Sequence, residues 1–211
     1  MSRLVPLYEA ILNGDAKASA ALNRGALSGG AHPEAIVSDS MIPAMDEVGR
    51  RFEANEYFVP ELMISARAMK AALDLVRPLL AQSGVKPAGR VVIGTVKGDL
   101  HDIGKNLVAS MLEGGGFEVI DLGSNVAPDR FVLAVREKEP QIVGLSALLT
   151  TTMPAMKETI AALQAAGVRG RVKVMIGGAP ISQEYADEIG ADGFGASART
   201  AVTVARELVR V

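Results

Sequence analysis

Residues 91–106 read VVIGTVKGDLHDIGKN. The first five are apolar or small and suit a buried β-strand, the polar stretch after them is typical of a loop, and a helix is predicted over 103–115. A strand followed by a loop and a helix is the repeating unit of a parallel sheet. The loop at the end of such a strand lies where these sheets bind their ligands.

The same unit recurs along the rest of the chain. Strands are predicted at 91–95, 117–121, 142–146 and 172–176, with a weaker fifth at 193–195, and helices at 103–115, 128–138, 154–166, 181–189 and 197–210. Five such units predict a Rossmann-like or flavodoxin-like domain, in which a five-stranded parallel sheet carries helices on both faces. Of the 22 glycines, 17 lie between Gly84 and Gly195, in the stretch that contains these loops.

Upstream of this domain the apolar residues recur at helical spacing. Helices are predicted at 3–12, 15–27, 33–50 and 59–82, with Met63 and Met69 in the core of the bundle. The predicted fold class is α + α/β, with a four-helix bundle cap at 1–84, a linker at 85–89 and the Rossmann-like domain at 90–211. The small and polar residues of 82–89 are typical of a hinge.

Composition excludes several classes of function. The chain has 211 residues, of which 49% are hydrophobic and 22% charged, as in globular proteins and unlike disordered ones. A formal net charge of -2 argues against a general affinity for nucleic acid. There is no cysteine, which excludes disulfides, thiolate metal sites and cysteine nucleophiles. No signal peptide or membrane-spanning run is predicted, so a cytoplasmic protein is expected.

The loop after the first strand lacks the glycine spacing of phosphate-binding loops and instead contains His101 with Asp99 two residues before it. An imidazole that binds a metal through one nitrogen usually donates its other N–H to a carboxylate. The only other histidine, His32, lies in the other predicted domain, so His101 suits a metal whose remaining ligands come from a macrocycle. On spacing alone, a helix-start histidine capped by Asp99 is an equal alternative.

Three motifs in order resolve this choice by resemblance. Asp99-x-His101-x-x-Gly104 resembles the cobalamin-binding motif D-x-H-x-x-G, and Ser146-x-Leu148 and Gly177-Gly178 follow at the family's spacing. In the helical half, 48–53, 58–62 and 65–70 are similar to the cap that precedes the cobalamin domain of methionine synthase. The chain is thus identified as similar to the corrinoid proteins of methyltransferase systems, over nearly its whole length.

The resemblance implies cobalamin, as methylcobalamin or Co(I) cobalamin, bound base-off/His-on. His101 would be the lower axial ligand of cobalt, Asp99 its hydrogen-bond partner, and Thr152 the hydroxyl that ends a relay. The further implied contacts of the cofactor are Gly98, Leu100, Asp102, Ile103 and Gly104 at the corrin edge and tail entry, Ser146, Leu148, Thr150, Gly177, Gly178 and Ala198 around the nucleotide tail, and Phe52, Val59 and Leu62 over the upper corrin face.

The function implied is a carrier that shuttles a methyl group on cobalt, as a corrinoid subunit rather than a complete enzyme. Its partners would be a substrate:corrinoid methyltransferase, a corrinoid:acceptor methyltransferase and a reductive activase, with no nucleic acid or membrane partner. Three alternatives stay open: the small subunit of an adenosylcobalamin-dependent mutase, a cobalamin sensor, and a passive cobalamin store.

Overall fold

The structure, a computed structural model, describes residues 4–82 and 86–210. These form two compact units, one from the residues up to Pro87 with Glu113–Gly116, and one from Ala88–Leu112 and Phe117 onward. Residues 83–85, where the predicted cap ends and the predicted linker begins, lie outside the described residues, so the boundaries 1–84, 85–89 and 90–211 stay predictions. None of the helices in the described ranges combines the length and apolar character needed to cross a membrane.

The first unit is helical. Its elements are α1 (Val5–Leu12), α2 (Ala16–Ser28), α3 (Pro33–Ile36), a π-helical turn (Val37–Met41), α4 (Ile42–Glu53) and α5 (Val59–Gln82). The third predicted helix therefore runs three residues further than 50 and contains a wide turn. That turn directly precedes the first turn of α4, where Pro43 lacks the N–H that a regular helix would donate to Asp39.

The core of the helical unit contains Met69, which is 1% exposed as predicted, but not Met63, which is 58% exposed. The prediction for Met63 is wrong because of helical phase. Buried positions on α5 follow Leu62 at intervals of three or four residues, including Met69 and Val76. Met63 is one residue beyond Leu62, about 100° around the helix, and so leaves the buried stripe.

The second unit contains the predicted five-stranded parallel sheet. Its strands are β1 (Arg90–Thr95), β2 (Glu118–Asp121), β3 (Ile142–Ser146), β4 (Lys173–Gly177) and β5 (Gly193–Phe194), and its helices are α6 (Ile103–Gly114), α7 (Pro128–Lys138), α8 (Pro154–Ala165), α9 (Gln183–Ile189) and α10 (Ala198–Val209). All neighbouring strands are parallel, in the order β2-β1-β3-β4-β5. This is the flavodoxin-like order of a doubly wound sheet, so the predicted fold class is confirmed.

The register of the sheet brings its loops together. Thr95 at the end of β1 pairs with Ser146 at the end of β3, and Ser146 pairs with Gly177 at the end of β4. The chain leaves β1 toward β2 on one side and returns to β3 on the other side. In sheets of this order the crevice outside the carboxyl ends of β1 and β3 is where ligands bind.

Candidate functional site

The histidine loop (residues 96–102) connects β1 to α6 and begins at that crevice. Asp99 is fully buried at its base, whereas the side chain of His101 is 51% exposed. The Asp99 atom Oδ1 accepts the backbone N–H of His101 at 3.0 Å and lies 2.8 Å from Nδ1 of the same residue. The carboxylate therefore holds both the backbone and the ring of His101.

The second oxygen of Asp99 connects to the β3 loop (residues 147–153). Oδ2 accepts the backbone N–H of Leu148 at 2.8 Å and the hydroxyl of Thr152 at 2.7 Å. Thr152 is 8% exposed, and its Oγ1 also lies 2.8 Å from the carbonyl oxygen of Leu149. His101, Asp99 and Thr152 are thus contiguous, in the order that the resemblance implied for a relay.

These hydrogen bonds decide the ionisation of Asp99. Burial by itself raises the pKa of this carboxyl group. The hydrogen bonds from the N–H groups of Leu148 and His101, the Thr152 hydroxyl and the His101 ring outweigh the burial and hold the pKa of Asp99 well below its usual range. Asp99 is therefore ionised at neutral pH.

An ionised carboxylate can only accept hydrogen bonds, which fixes the tautomer of the neutral His101 ring. Nδ1 must carry the proton that is shared with Asp99, and Nε2 is left with its lone pair. The ring is half-exposed, so Nε2 is available to a ligand outside the loop. The spacing left two alternatives open, a metal-binding histidine oriented by Asp99 and a helix-start histidine capped by Asp99. The structure contains both contacts, since Asp99 accepts the backbone N–H of His101 and also orients its ring.

Large apolar side chains lie exposed on the two loops that Asp99 joins and at the start of α6. We call this cluster the apolar rim: Leu100 is 73%, Ile103 74%, Leu148 42% and Leu149 42% exposed. Exposed apolar side chains gathered at one site indicate a bound partner or ligand. Sequence reasoning named all of these except Leu149, whose only signal is its place beside Leu148.

The other residues predicted near His101 are Gly98 and Asp102 in the histidine loop and Gly104 in the first turn of α6. Asp102 is exposed, and a Cβ built on Gly104 would meet no atom within 4 Å. Gly98 has a φ of +84°, in the left-handed region that favours glycine. The backbone at Gly104 is therefore open on the side where a side chain would lie.

At the ends of β3 and β4 the glycines serve the backbone itself. Gly178 has a φ of +138°, and a Cβ there would lie 1.8 Å from the carbonyl oxygen of Ala147. A Cβ on Gly177 would lie 2.9 Å from the carbonyl oxygen of Gly195. The resemblance implied room for a cofactor tail at these positions, and the close approach of neighbouring loops gives a second reason that the sequence did not reveal.

The remaining predicted contacts differ in exposure. Ser146 is partly buried and Thr150 exposed, while Ala198 is 6% exposed at the first residue of α10, behind the Ser197–Thr200 capping box. In the helical unit Val59 is 39% exposed and Phe52 partly buried.

Leu62 was predicted to cover a corrin face, but it is fully buried and offers no surface in this structure. Phe58, which sequence reasoning did not select, is 62% exposed.

Two residues that hold the histidine loop were missed by sequence reasoning. The Thr95 hydroxyl at the end of β1 donates to the carbonyl oxygen of His101 at 2.9 Å. Asn125, in the loop after β2, accepts the N–H of Gly98 through Oδ1 at 2.8 Å and donates its own N–H to the carbonyl oxygen of Asp99 at 2.9 Å. No motif identifies either residue, because both act through backbone atoms of the loop.

The site fits a metal that brings its own in-plane ligands. Within residues 4–82 and 86–210, no three or more histidine, aspartate or glutamate side chains are grouped as a metal site built from protein alone requires. A single oriented imidazole at an apolar rim matches instead the axial ligation of a metal in a macrocycle.

Comparison with known proteins gives the family. Residues 89–204 and residues 5–77 each match a B12 binding domain family. The chain is 42% identical to trimethylamine corrinoid protein 2 of Methanosarcina mazei over 199 residues, which cover 93% of this chain and 91% of that protein.

Two solved structures are similar over nearly the whole chain. A cobalamin-binding protein from Desulfitobacterium hafniense has 34% identity and a TM-score of 0.80, covering 96% of both chains. A chain of the methanol:cobalamin methyltransferase complex from Methanosarcina barkeri has 30% identity and a TM-score of 0.84, covering 97% of this chain and 78% of that one. The chain therefore belongs to the cobalamin-binding corrinoid proteins of methyltransferase systems.

Proposed function

We propose that this protein carries a methyl group on the cobalt of a cobalamin whose lower axial ligand is His101. The observation that supports this most is the orientation of the imidazole, with Nδ1 held by the buried, ionised Asp99 and Nε2 exposed at the apolar rim. When bound, the cofactor supplies a cobalt centre that accepts a methyl group and passes it on.

Asp99 and Thr152 would orient the imidazole of His101 for binding the metal. Nε2 of His101 would hold the metal, and the hydrogen bond from Nδ1–H to Asp99 would make the imidazole a better electron donor. By resemblance, release of the metal would be coupled to a proton on the relay of His101, Asp99 and Thr152. The Thr152 hydroxyl holds Oδ2 of Asp99 in place, which would keep the imidazole in the orientation that ligation requires.

The remaining contacts are proposed by resemblance. The apolar rim would exclude water from the lower side of the corrin, and the open space at Gly104 would admit its edge. Ser146, Thr150, Gly177, Gly178 and Ala198 are the proposed neighbours of the nucleotide tail. Phe52 and Val59 are those of the upper face, whereas the buried Leu62 is not proposed as a contact.

The proposed partners are two methyltransferases, one that loads the methyl group and one that removes it to an acceptor, with a reductive activase as a third. Similarity to a trimethylamine corrinoid protein over 93% of the chain makes a methylated amine the first donor to test. Methanol is the second, because a methanol:cobalamin methyltransferase complex is among the similar structures.

The test is reconstitution with cobalamin, followed by absorption spectroscopy and methyl transfer with an added methylamine or methanol methyltransferase. We expect His101→Gly to remove the His-on spectrum and to lower methyl transfer at least 10-fold, since no other side chain supplies the ligand.

His32→Gly is the matched control. His32 is exposed at the N-cap of α3 without a side-chain capping bond, and glycine is tolerated at N-caps. Identical spectra for wild-type protein and His101→Gly would reject His101 as the ligand, and no methyl transfer with any partner would reject the carrier function.

A further inference from the structure

The β2 loop (residues 122–127) contributes no predicted cofactor contact, yet it holds the start of the histidine loop. Asn125 bonds both Gly98 and Asp99, at 2.8 Å through its side-chain oxygen and at 2.9 Å through its backbone N–H. We propose that Asn125 is a positioning residue that sets the place of Asp99 and thereby of the His101 ring.

The backbone conformation of Asn125 explains why asparagine suits this position. Its φ is +53°, close to the ideal left-handed value of about +57°, and asparagine is among the non-glycine residues that best tolerate this region. The left-handed turn directs the backbone N–H and the side-chain oxygen of one residue to two successive residues of the histidine loop. Glycine would keep the backbone and lose the side-chain bond, whereas aspartate would keep an acceptor.

Asn125 is itself fixed to the sheet on both sides. Thr95 donates its backbone N–H to the carbonyl oxygen of Gly123 at 3.0 Å, and Val126 donates to the carbonyl oxygen of Thr95 at 2.9 Å. A residue placed by strand β1 can transmit that placement to the loop that follows the same strand.

The end of β2, just before the β2 loop, also bonds the helix that follows the histidine loop. Lys105, in the first turn of α6, is 2% exposed, and its ammonium group donates to Asp121 at the end of β2 and to Asn106 at 2.6 Å. Asp121 in turn accepts the N–H of Gly123 at 2.8 Å. Residues 121–125 thus bond the histidine loop at Gly98–Asp99 and the first turn of α6 at Lys105, and His101 lies between these two points in the sequence.

The inference rests on the proposed role of His101, but its first test uses the protein without cofactor. Hydrogen exchange of individual amides is measured for wild-type protein, Asn125→Gly and Asn125→Asp. We expect Asn125→Gly to speed exchange at Gly98, which loses its acceptor, and also at His101, whose N–H donates to Asp99, by about 5-fold each, the effect of losing one hydrogen bond. Asn125→Asp should restore both rates.

The second test is the fraction of bound cobalamin that is His-on, read from absorption and from electron paramagnetic resonance of the Co(II) form. We expect Asn125→Gly to lower the ratio of His-on to His-off about 5-fold, Asn125→Asp to restore it, and added imidazole to return the ligated spectrum. If wild-type protein itself lacks the His-on spectrum, the proposed function fails, whereas the exchange result still decides whether Asn125 controls the loop.

Ser124→Gly is the matched control, because it adds the same backbone freedom one residue earlier and the exposed Ser124 side chain makes no hydrogen bond within the described residues. Faster exchange at Gly98 alone, or an equal effect of Ser124→Gly, would overturn the proposal by reducing Asn125 to a local turn residue. So would a full His-on fraction in Asn125→Gly.

Discussion

Asp99 in the sheet unit and Glu47 in the helical unit both have a lowered pKa, but opposite surroundings cause it. Glu47 lies at the surface between the guanidinium groups of Arg50 and Arg51. Both groups donate hydrogen bonds to its carboxylate, and these lower its pKa to about 2. Asp99 is fully buried, and two backbone amides, a hydroxyl and an imidazole surround it.

A lowered carboxyl pKa can thus arise at a ligand site or in a surface ion-pair network, and the hydrogen-bond partners of the carboxylate distinguish the two. Exposed ion pairs contribute little to stability, since water solvates the separated charges almost as well. A buried carboxylate is costly unless hydrogen bonds compensate for lost hydration, and here those bonds join two loops around one imidazole. The low pKa of Glu47 therefore reflects ion pairs along the surface of α4, and that of Asp99 reflects a buried carboxylate that orients a candidate ligand.

The largest expected effect in this comparison comes from Asp99→Asn. An amide cannot replace all the accepting positions of the carboxylate, and the buried donors of His101, Leu148 and Thr152 lose part of their partners. We expect the free energy of unfolding to fall by about 2–4 kcal/mol at pH 7, measured by urea denaturation.

The pH dependence of that loss has a definite sign. Because folding lowers the pKa of Asp99, its contribution is fully present above the unfolded pKa of about 3.9 and is lost as the pH falls further toward the folded pKa. The difference in the free energy of unfolding between wild-type protein and Asp99→Asn should therefore become smaller below about pH 4. A constant gap from pH 7 to pH 3 would contradict the assignment of a lowered pKa to Asp99.

Thr152→Val should have an intermediate effect. The substitution keeps the shape of the side chain and removes the donor to Oδ2 of Asp99, so we expect a loss of about 1–2 kcal/mol in the free energy of unfolding and a higher pKa of Asp99. Carboxyl titration by nuclear magnetic resonance measures the second effect. Thr152→Ser keeps the hydroxyl and is the control; equal pKa values for Asp99 in the Val and Ser variants would show that the hydroxyl does not act on the carboxylate.

Glu47→Gln should have the smallest effect, below about 1 kcal/mol, and it should shrink further in high salt. Glu47 also has a lowered pKa, so its contribution is present above the unfolded value of about 4.3 and is lost as the pH falls toward about 2. Thermal unfolding of both variants at low and high salt sharpens the comparison. A salt-insensitive loss in Glu47→Gln as large as that of Asp99→Asn would remove the distinction between the two carboxylates.

Much of the site could be predicted from residue types and spacing. The pair Asp99-x-His101 can form its contact within one loop, so local sequence was enough to propose it, and the resemblance supplied Thr152. Asn125 and Thr95 could not be predicted. Their side chains bond backbone atoms of the histidine loop, and the positions of those atoms depend on the pairing of β1 with its neighbours.

The side chains of the helical unit show the same limit. Met63 and Leu62 are apolar neighbours in sequence, but one step along the helix turns a side chain by about 100°, which buries Leu62 and exposes Met63. Periodicity predicted that α5 is a helix, but the choice between adjacent apolar residues depended on which face packs against α1, α2 and α4.

The sequence by itself determined the five βα units, the helical region before them and the spacing of a histidine motif, because these follow from periodicity and from contacts between near neighbours. Only the tertiary structure decided that the histidine and β3 loops meet at one buried carboxylate, and that Gly178 is required by the carbonyl of Ala147. The physical reason is strand order: placing β3 beside β1 brings residues about fifty positions apart within hydrogen-bond distance, which no local pattern records.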